Sequence, residues 1–231
     1  MLTGPQKLAD NLRAIHQRIA AAARAAGREP SAITLIGVSK TQPAAAVRAA
    51  LAAGLLDFGE NYAQEAIAKL REVADPRARW HFIGALQGNK TRGVAEHFQW
   101  VHTVDRARIA VRLSAQRPHH APALQVCLQV RLGDEATKSG VGPGELAGLA
   151  DAVAGLPRLV LRGLMCLPPA EQDPSRQRRW FAELRHLRDE LNQRGHSLDV
   201  LSMGMSGDFE LAIAEGATHV RVGTALFGPR S

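Results

Sequence analysis

Strand-like and helix-like signals alternate eight times along this chain, in order and without a break in composition, and few folds absorb such a pattern. An amphipathic helix over residues 6–26 comes first, with Leu8, Leu12, Ile15 and Ile19 at helical spacing and Gly27 as its stop. Strands are then expected at Ile33 to Ser39, Leu55 to Phe58, Trp80 to Ile83 and Trp100 to Val104. Four more are expected at Ala123 to Leu132, Leu159 to Cys166, Leu198 to Ser202 and His219 to Val222. The helices expected between them cover Ala44 to Ala53, Ala63 to Val73, Thr91 to His97, a segment opened by Asp105, Gly144 to Ala154, Pro174 to Arg194 and Asp208 to Glu215. A short turn near Ala225 closes the series. The pattern predicts an α/β fold, a (β/α)8 TIM barrel with an extra N-terminal helix, as one domain over residues 1–231. An open doubly wound sheet is the runner-up, but eight regular units in about 200 residues suit closure better.

Composition narrows the function classes. The chain has 231 residues, 45% of them hydrophobic, which suits a sizeable globular core. Because no apolar run reaches spanning length, no membrane segment is expected. Gln6-Lys7, Asp10-Asn11 and Arg13 interrupt any signal-peptide pattern. Cys127 and Cys166 sit in apolar runs, so they read as core residues of a cytoplasmic protein and not as a disulfide or metal site. The net charge of +7 is scattered, and its densest cluster, Arg176 to Arg188, falls on one amphipathic helix; a nucleic-acid partner is the weaker reading. Of 29 basic residues only five are lysines: Lys7, Lys40, Lys69, Lys90 and Lys138. Chemistry that needs an amine therefore has few candidates.

One of the five ends the first strand. In Leu35 to Pro43 an apolar run terminates in Lys40, and Pro43 then opens the helix. Burial lowers a lysine's pKa, and a neutral amine attacks an aldehyde to form a Schiff base. Barrel sites form where strands run into helices, and polar and glycine residues concentrate there. Those positions carry Gly59 to Tyr62, Gly84 with Gln87 to Lys90, His102 and Asp105, Lys138 to Gly140, and Met165 to Pro169. Ser202 to Asp208 and Gly223-Thr224 complete the set. Helix starts and turns explain several of these, Asp105 and Pro174 among them. The last two segments end strands 7 and 8, where barrels commonly bind a phosphate through backbone N–H groups and hydroxyls. Ser206, Gly223 and Thr224 supply such groups. A phosphate cradle facing a strand-end lysine suggests pyridoxal 5′-phosphate (PLP), which carries an aldehyde at one edge and a phosphate at another.

The segments VSKTQP (38–43), DFGENYAQE (57–65), WHFIGALQGNK (80–90), HTVD (102–105), KSG (138–140), GLM (163–165), SMGMSGD (202–208) and RVGTALFG (221–228) run in order across nearly the whole chain. On these the chain closely resembles the pyridoxal phosphate homeostasis proteins, relatives of the barrel domain of alanine racemase. The resemblance implies that PLP forms a Schiff base on Lys40 and that Arg221 faces the pyridine nitrogen. It further implies that Ser206, Gly223 and Thr224 hold the phosphate, with Asn61 and His81 near the cofactor. The family commonly has Ser or Thr at the position of Gly88, and Leu167-Pro168-Pro169 differs from its most familiar form.

Two function classes follow. One is a carrier that stores, buffers or delivers PLP; the alternative is a PLP-dependent amino-acid racemase or related enzyme. Racemases of this fold take one acid/base group from a C-terminal β-domain, and the given chain runs only nine residues past strand 8. Its single tyrosine, Tyr62, follows strand 2, and Leu167 takes the place of a racemase histidine. Arginine at the ring nitrogen disfavours protonation there and weakens the electron sink. The expectation is a non-enzymatic carrier with no catalytic or metal-binding residues, a monomer whose partners are PLP and apo PLP-dependent enzymes. Lys138, beyond strand 5, is a candidate secondary PLP lysine.

Overall fold

The computed structural model describes residues 4–133, 139–169, 171 and 173–228. Helix α1 (Gly4–Ala25) leads, followed by β1 (Thr34–Val38), α2 (Ala44–Ala52), β2 (Asp57–Glu60), α3 (Ala63–Val73), β3 (Arg79–Phe82), α4 (Thr91–His97) and β4 (Trp100–Val104). The second half runs α5 (Ala107–Gln116), β5 (Leu124–Val130), α6 (Pro143–Ala154), β6 (Leu159–Cys166), α7 (Pro174–Gln193), β7 (Val200–Ser202), α8 (Phe209–Ala214), β8 (His219–Val222) and the single turn α9 (Thr224–Phe227). The eight strands close in sequence order into one parallel barrel, β8 pairing back onto β1 with Thr34 opposite His219. Among the described residues no helix is long and apolar enough to cross a membrane.

Helix α1 buries Leu8, Leu12, Ile15, Ile19 and Ala23, one stripe at helical spacing, against α2, α8 and α9. Each large aliphatic side chain removed from water this way contributes about 1.5–3 kcal/mol. The Asn11 amide donates to the Leu226 carbonyl at 2.9 Å, tying α1 to the turn that follows β8. Gly27, at φ 67°, takes the left-handed conformation that ends the helix, and Arg28 N–H bonds back to the Ala23 carbonyl.

Two boundaries differ from the sequence reading in an informative way. Strand β2 was expected over Leu55 to Phe58 but occupies Asp57–Glu60. Its apolar signal stops at Phe58, whereas an ion pair with Lys69 lets the carboxylate of Glu60 be buried and the strand continue. Helix α5 starts at Ala107, not Asp105, whose carboxylate pairs with Arg106 instead of capping the helix. Pro174 does open α7, with the Asp173 carboxylate accepting from Ser175 N–H at 2.8 Å.

Candidate functional site

The C-terminal ends of β1, β2, β7 and β8 surround a cleft of about 390 Å³, lined by Val38, Lys40, Asn61, Ile83, Leu167, Met205, Ser206, Gly207, Arg221, Gly223 and Thr224. Six of the residues singled out from the sequence meet here: Lys40, Asn61, Ser206, Arg221, Gly223 and Thr224. Lys138 lies outside the described residues. The apolar part of the wall comes from Val38, Ile83, Leu167 and Met205, of which Leu167 and Met205 fall in strand-end segments noted from the sequence.

Lys40 leaves β1 through a braced turn. Thr41 takes φ 64°, unfavourable for a β-branched side chain, and its N–H donates to Glu65 Oε1 at 2.8 Å. Behind it, Lys69 Nζ donates to the Ser39 carbonyl at 2.7 Å, to Glu60 Oε1 at 2.7 Å and to Glu65 Oε1 at 3.1 Å. The Ser39 hydroxyl donates to the same Glu60 oxygen at 2.7 Å. Burial pushes the Glu60 carboxyl up despite Lys69 and Ser39. Both residues flanking Lys40 are thus held by one charge cluster, in which Lys69 and Glu60 are buried and Glu65 is partly exposed.

The segment after β7 supplies Met205, Ser206 and Gly207 to the wall. Asp208 Oδ1 accepts from Met205 N–H at 2.6 Å and Oδ2 from the Gln177 amide at 3.0 Å, which folds the segment into a tight turn. Gly204 sits at φ 90°, and a Cβ there would lie 2.6 Å from the Ala212 methyl, so the turn packs onto α8 only with glycine. Arg221 N–H then bonds to the Gly204 carbonyl at 3.0 Å, bringing β8 alongside. Ser206, Gly207, Gly223 and Thr224 line the cleft together with Lys40.

Asn61 lines the same cleft, and its Oδ1 is buried with no hydrogen-bond partner among the described residues. The neighbouring Gly84 lets the Asn61 backbone pack close, because a Cβ there would collide with the Asn61 carbonyl. An orphaned acceptor, two hydroxyls, glycine backbone, a primary amine and a guanidinium together suit a small anionic ligand carrying a donor group and an electrophile.

His81 is not among the residues lining the cleft. It lies fully buried in the barrel interior, Nε2 2.9 Å from Asp57 Oδ1 and Nδ1 3.0 Å from His102 Nε2. His102, read from sequence as a strand-end residue, is likewise interior, the third residue of β4. Arg221 is buried as well; Nη1 donates to Ser202 Oγ at 2.8 Å and Nη2 to the Cys166 carbonyl at 2.9 Å. The inward period-2 positions of the strands carry Asp57, His81, His102, Ser202 and Arg221, an alternation that signals an interior polar layer.

The alanine racemase N-terminal domain family model matches residues 10–231. The pyridoxal phosphate homeostasis protein of Pseudomonas aeruginosa is 58% identical over 223 residues, covering 96% of each chain. That of Escherichia coli K12 is 50% identical over 226 residues, covering 96% of this chain and 97% of the relative. Among solved structures, PipY of Synechococcus elongatus with PLP bound shows a TM-score of 0.85 at 40% identity, over 96% of this chain and 100% of that one. Alanine racemase from Corynebacterium glutamicum shares the fold at 19% identity, with a TM-score of 0.68 over 94% of this chain and 62% of that one.

Proposed function

The chain belongs to the alanine racemase N-terminal domain family and, within it, to the pyridoxal phosphate homeostasis proteins, and from that membership we propose that it binds PLP and serves intracellular PLP homeostasis by storing, buffering or delivering the cofactor. The observation that carries the reading is the convergence of Lys40, Arg221 and the Ser206, Gly223 and Thr224 groups on one cleft of suitable size.

PLP supplies an electrophilic aldehyde. Lys40 would hold the cofactor at that edge, its amine being the nucleophile that such an aldehyde accepts in a Schiff base. Ser206 and Thr224 hydroxyls and the backbone N–H groups of Gly207 and Gly223 hold the phosphate. Arg221, which only donates, would face the ring nitrogen and disfavour its protonation. Asn61 offers its open acceptor to the ligand, while His81 acts from beneath Arg221 and not by contact.

We read the protein as a carrier and not an enzyme. Besides Lys40 and Arg221, no described residue lining the cleft has an acid/base side chain, and Leu167 closes the wall with an apolar one. Tyr62 is 60% exposed and lines a neighbouring cleft with Gln87 and Lys90. The relatives from Pseudomonas aeruginosa and Escherichia coli are called homeostasis proteins, which fits. A cytoplasmic monomer of one domain that gives PLP to apo-enzymes completes the proposal.

The test is borohydride reduction of PLP-loaded protein followed by peptide mapping. The expected result is a reduced adduct on Lys40 that disappears in Lys40→Ala; a wild-type adduct elsewhere, or none, overturns the assignment.

A further inference from the structure

Beneath the cleft the barrel interior is polar along one line. Arg79 grips Asp57 with two hydrogen bonds, at 2.7 and 2.6 Å, at the first residues of β3 and β2. From Asp57 the contacts run to His81 (2.9 Å), His102 (3.0 Å), Ser202 (2.8 Å) and Arg221 (2.8 Å), the residue that lines the cleft. The line thus joins the N-terminal face of the barrel to the site at its C-terminal face without a gap.

The two ends dictate the direction of every hydrogen bond. Asp57 is ionised: burial alone would raise its pKa, but the hydrogen bonds from His81 and Arg79 outweigh that and hold it at about 2. A carboxylate only accepts, so His81 Nε2 carries the hydrogen. Both imidazoles are neutral, because burial pushes each below its usual value. His81 Nδ1 must then accept, from His102 Nε2–H, which leaves His102 Nδ1 to accept from the Ser202 hydroxyl. The Ser202 oxygen in turn accepts from Arg221, a group that can only donate. One arrangement satisfies all four contacts, and in it every hydrogen points from Arg221 toward Asp57.

Among the described residues no carboxylate makes ion-pair contact with Arg221, although the guanidinium is only 4% exposed. Burial lowers its pKa, opposed by the charge interactions of Cys166 and Asp208 that reach it without an ion-pair contact. The other ionisable groups facing these rings are His219, with ring centroids 6.2 Å from His81 and 6.0 Å from His102, the Arg162–Asp199 pair behind Trp100, and the thiols of Cys127 and Cys166. Burial keeps His219 neutral down to about pH 3, and burial likewise pushes both thiols up to about 12, so none of these competes for the relay's protons at neutral pH.

We propose that Asp57, His81, His102 and Ser202 form a unidirectional hydrogen-bond relay that orients Arg221 as a fixed donor to the cleft, so that a carboxylate at the far face decides which protonation state of a ring nitrogen the site accepts. These four are positioning residues; none touches the ligand. The identity of the ligand rests on the PLP reading, but the relay is a property of the free protein.

Long-range proton–nitrogen correlation spectra of the histidine-labelled, cofactor-free chain test the relay directly. His81 and His102 are expected as Nε2–H tautomers that do not titrate between about pH 5.5 and 8. An Nδ1–H form of either ring, or titration near the ordinary histidine value, overturns the proposal. The functional arm uses PLP-loaded protein: Asp57→Asn and, from the other end, Ser202→Ala should each shift the visible band of bound PLP and make it pH-dependent, with Asp57→Glu restoring it. Ser202→Ala leaves the Asp57–His81 contact in place and carries the same readout if Asp57→Asn does not fold. Unchanged bands in the folded variants overturn the link to the site. Failure of the wild type to bind PLP would sink the function proposed above while leaving the tautomer result intact.

Discussion

The ammonium of Lys69 lies 2.7 Å from the backbone carbonyl of Ser39, so a buried cation on α3 holds the strand end from which Lys40 projects. The same nitrogen neutralises Glu60, which is fully buried. Stability and site geometry therefore share one charge cluster. Lys69→Met should destabilise the protein by about 3–5 kcal/mol, since it leaves a buried carboxylate without its partner. Adding Glu60→Gln should recover part of that loss, because the uncompensated charge is gone. Urea denaturation of the single and double variants measures this. A single variant within about 1 kcal/mol of wild type would show that the cluster is not coupled to the fold.

The hydroxyls of Ser206 and Thr224 are assigned to the phosphate. Replacing both, Ser206→Ala with Thr224→Val, removes two charge-assisted hydrogen bonds worth about 1.5–3 kcal/mol each. Affinity for PLP should fall at least about a hundredfold, with the circular dichroism spectrum unchanged. Spectroscopic titration of the double variant gives the answer, and unaltered affinity would remove the phosphate assignment.

The fold was legible because a barrel repeats one signal eight times: apolar runs of strand length between amphipathic helices place six of the helices from α2 onward within a residue or so of where they lie. The residues at the cleft were legible for a related reason, since Lys40, Ser206, Gly223 and Thr224 stand at strand ends, where side chains leave the core. What escaped was the interior. Glu60 looks like a strand terminator until Lys69 is seen to neutralise it across nine residues. His81 is placed near the cofactor by the resemblance and His102 by its apparent strand-end position, yet their partners Asp57 and Ser202 are 24 and 100 residues away. No local pattern reports a hydrogen bond between strands so far apart in sequence. Lys138 falls outside the described residues, so its place relative to the cleft stays an expectation from sequence.

The carrier reading makes its own demand on activity. PLP-loaded protein should show negligible racemase, decarboxylase or transaminase turnover with common amino acids, because besides Lys40 and Arg221 no described residue lining the cleft carries a proton-transfer side chain. Chiral analysis of product and coupled assays cover all three reactions. Robust turnover abolished by Lys40→Ala would make the enzyme reading correct.

The buried histidines also set how the fold responds to acid. In the unfolded chain an imidazole takes up its proton near pH 6.5, whereas burial keeps His219 neutral in the fold until about pH 3. Between those values the unfolded state binds more protons, so stability falls as pH falls and is fully present only above the unfolded value. His219 alone contributes a slope of about 1.4 kcal/mol per pH unit in that window. His81 and His102, shifted in the same direction by burial, steepen it. Asp57 acts lower down: its folded pKa of about 2 lies below the unfolded 3.8, so its contribution is lost as pH drops from about 4 to about 2. Denaturation midpoints should therefore decline from neutral pH through pH 5, well before the carboxylates titrate. His219→Phe, which keeps a ring beside Trp100, should flatten the upper part of the decline. Midpoints that hold constant from pH 7 to 5 would mean that the interior imidazoles accept protons in the folded state, contrary to the burial described here.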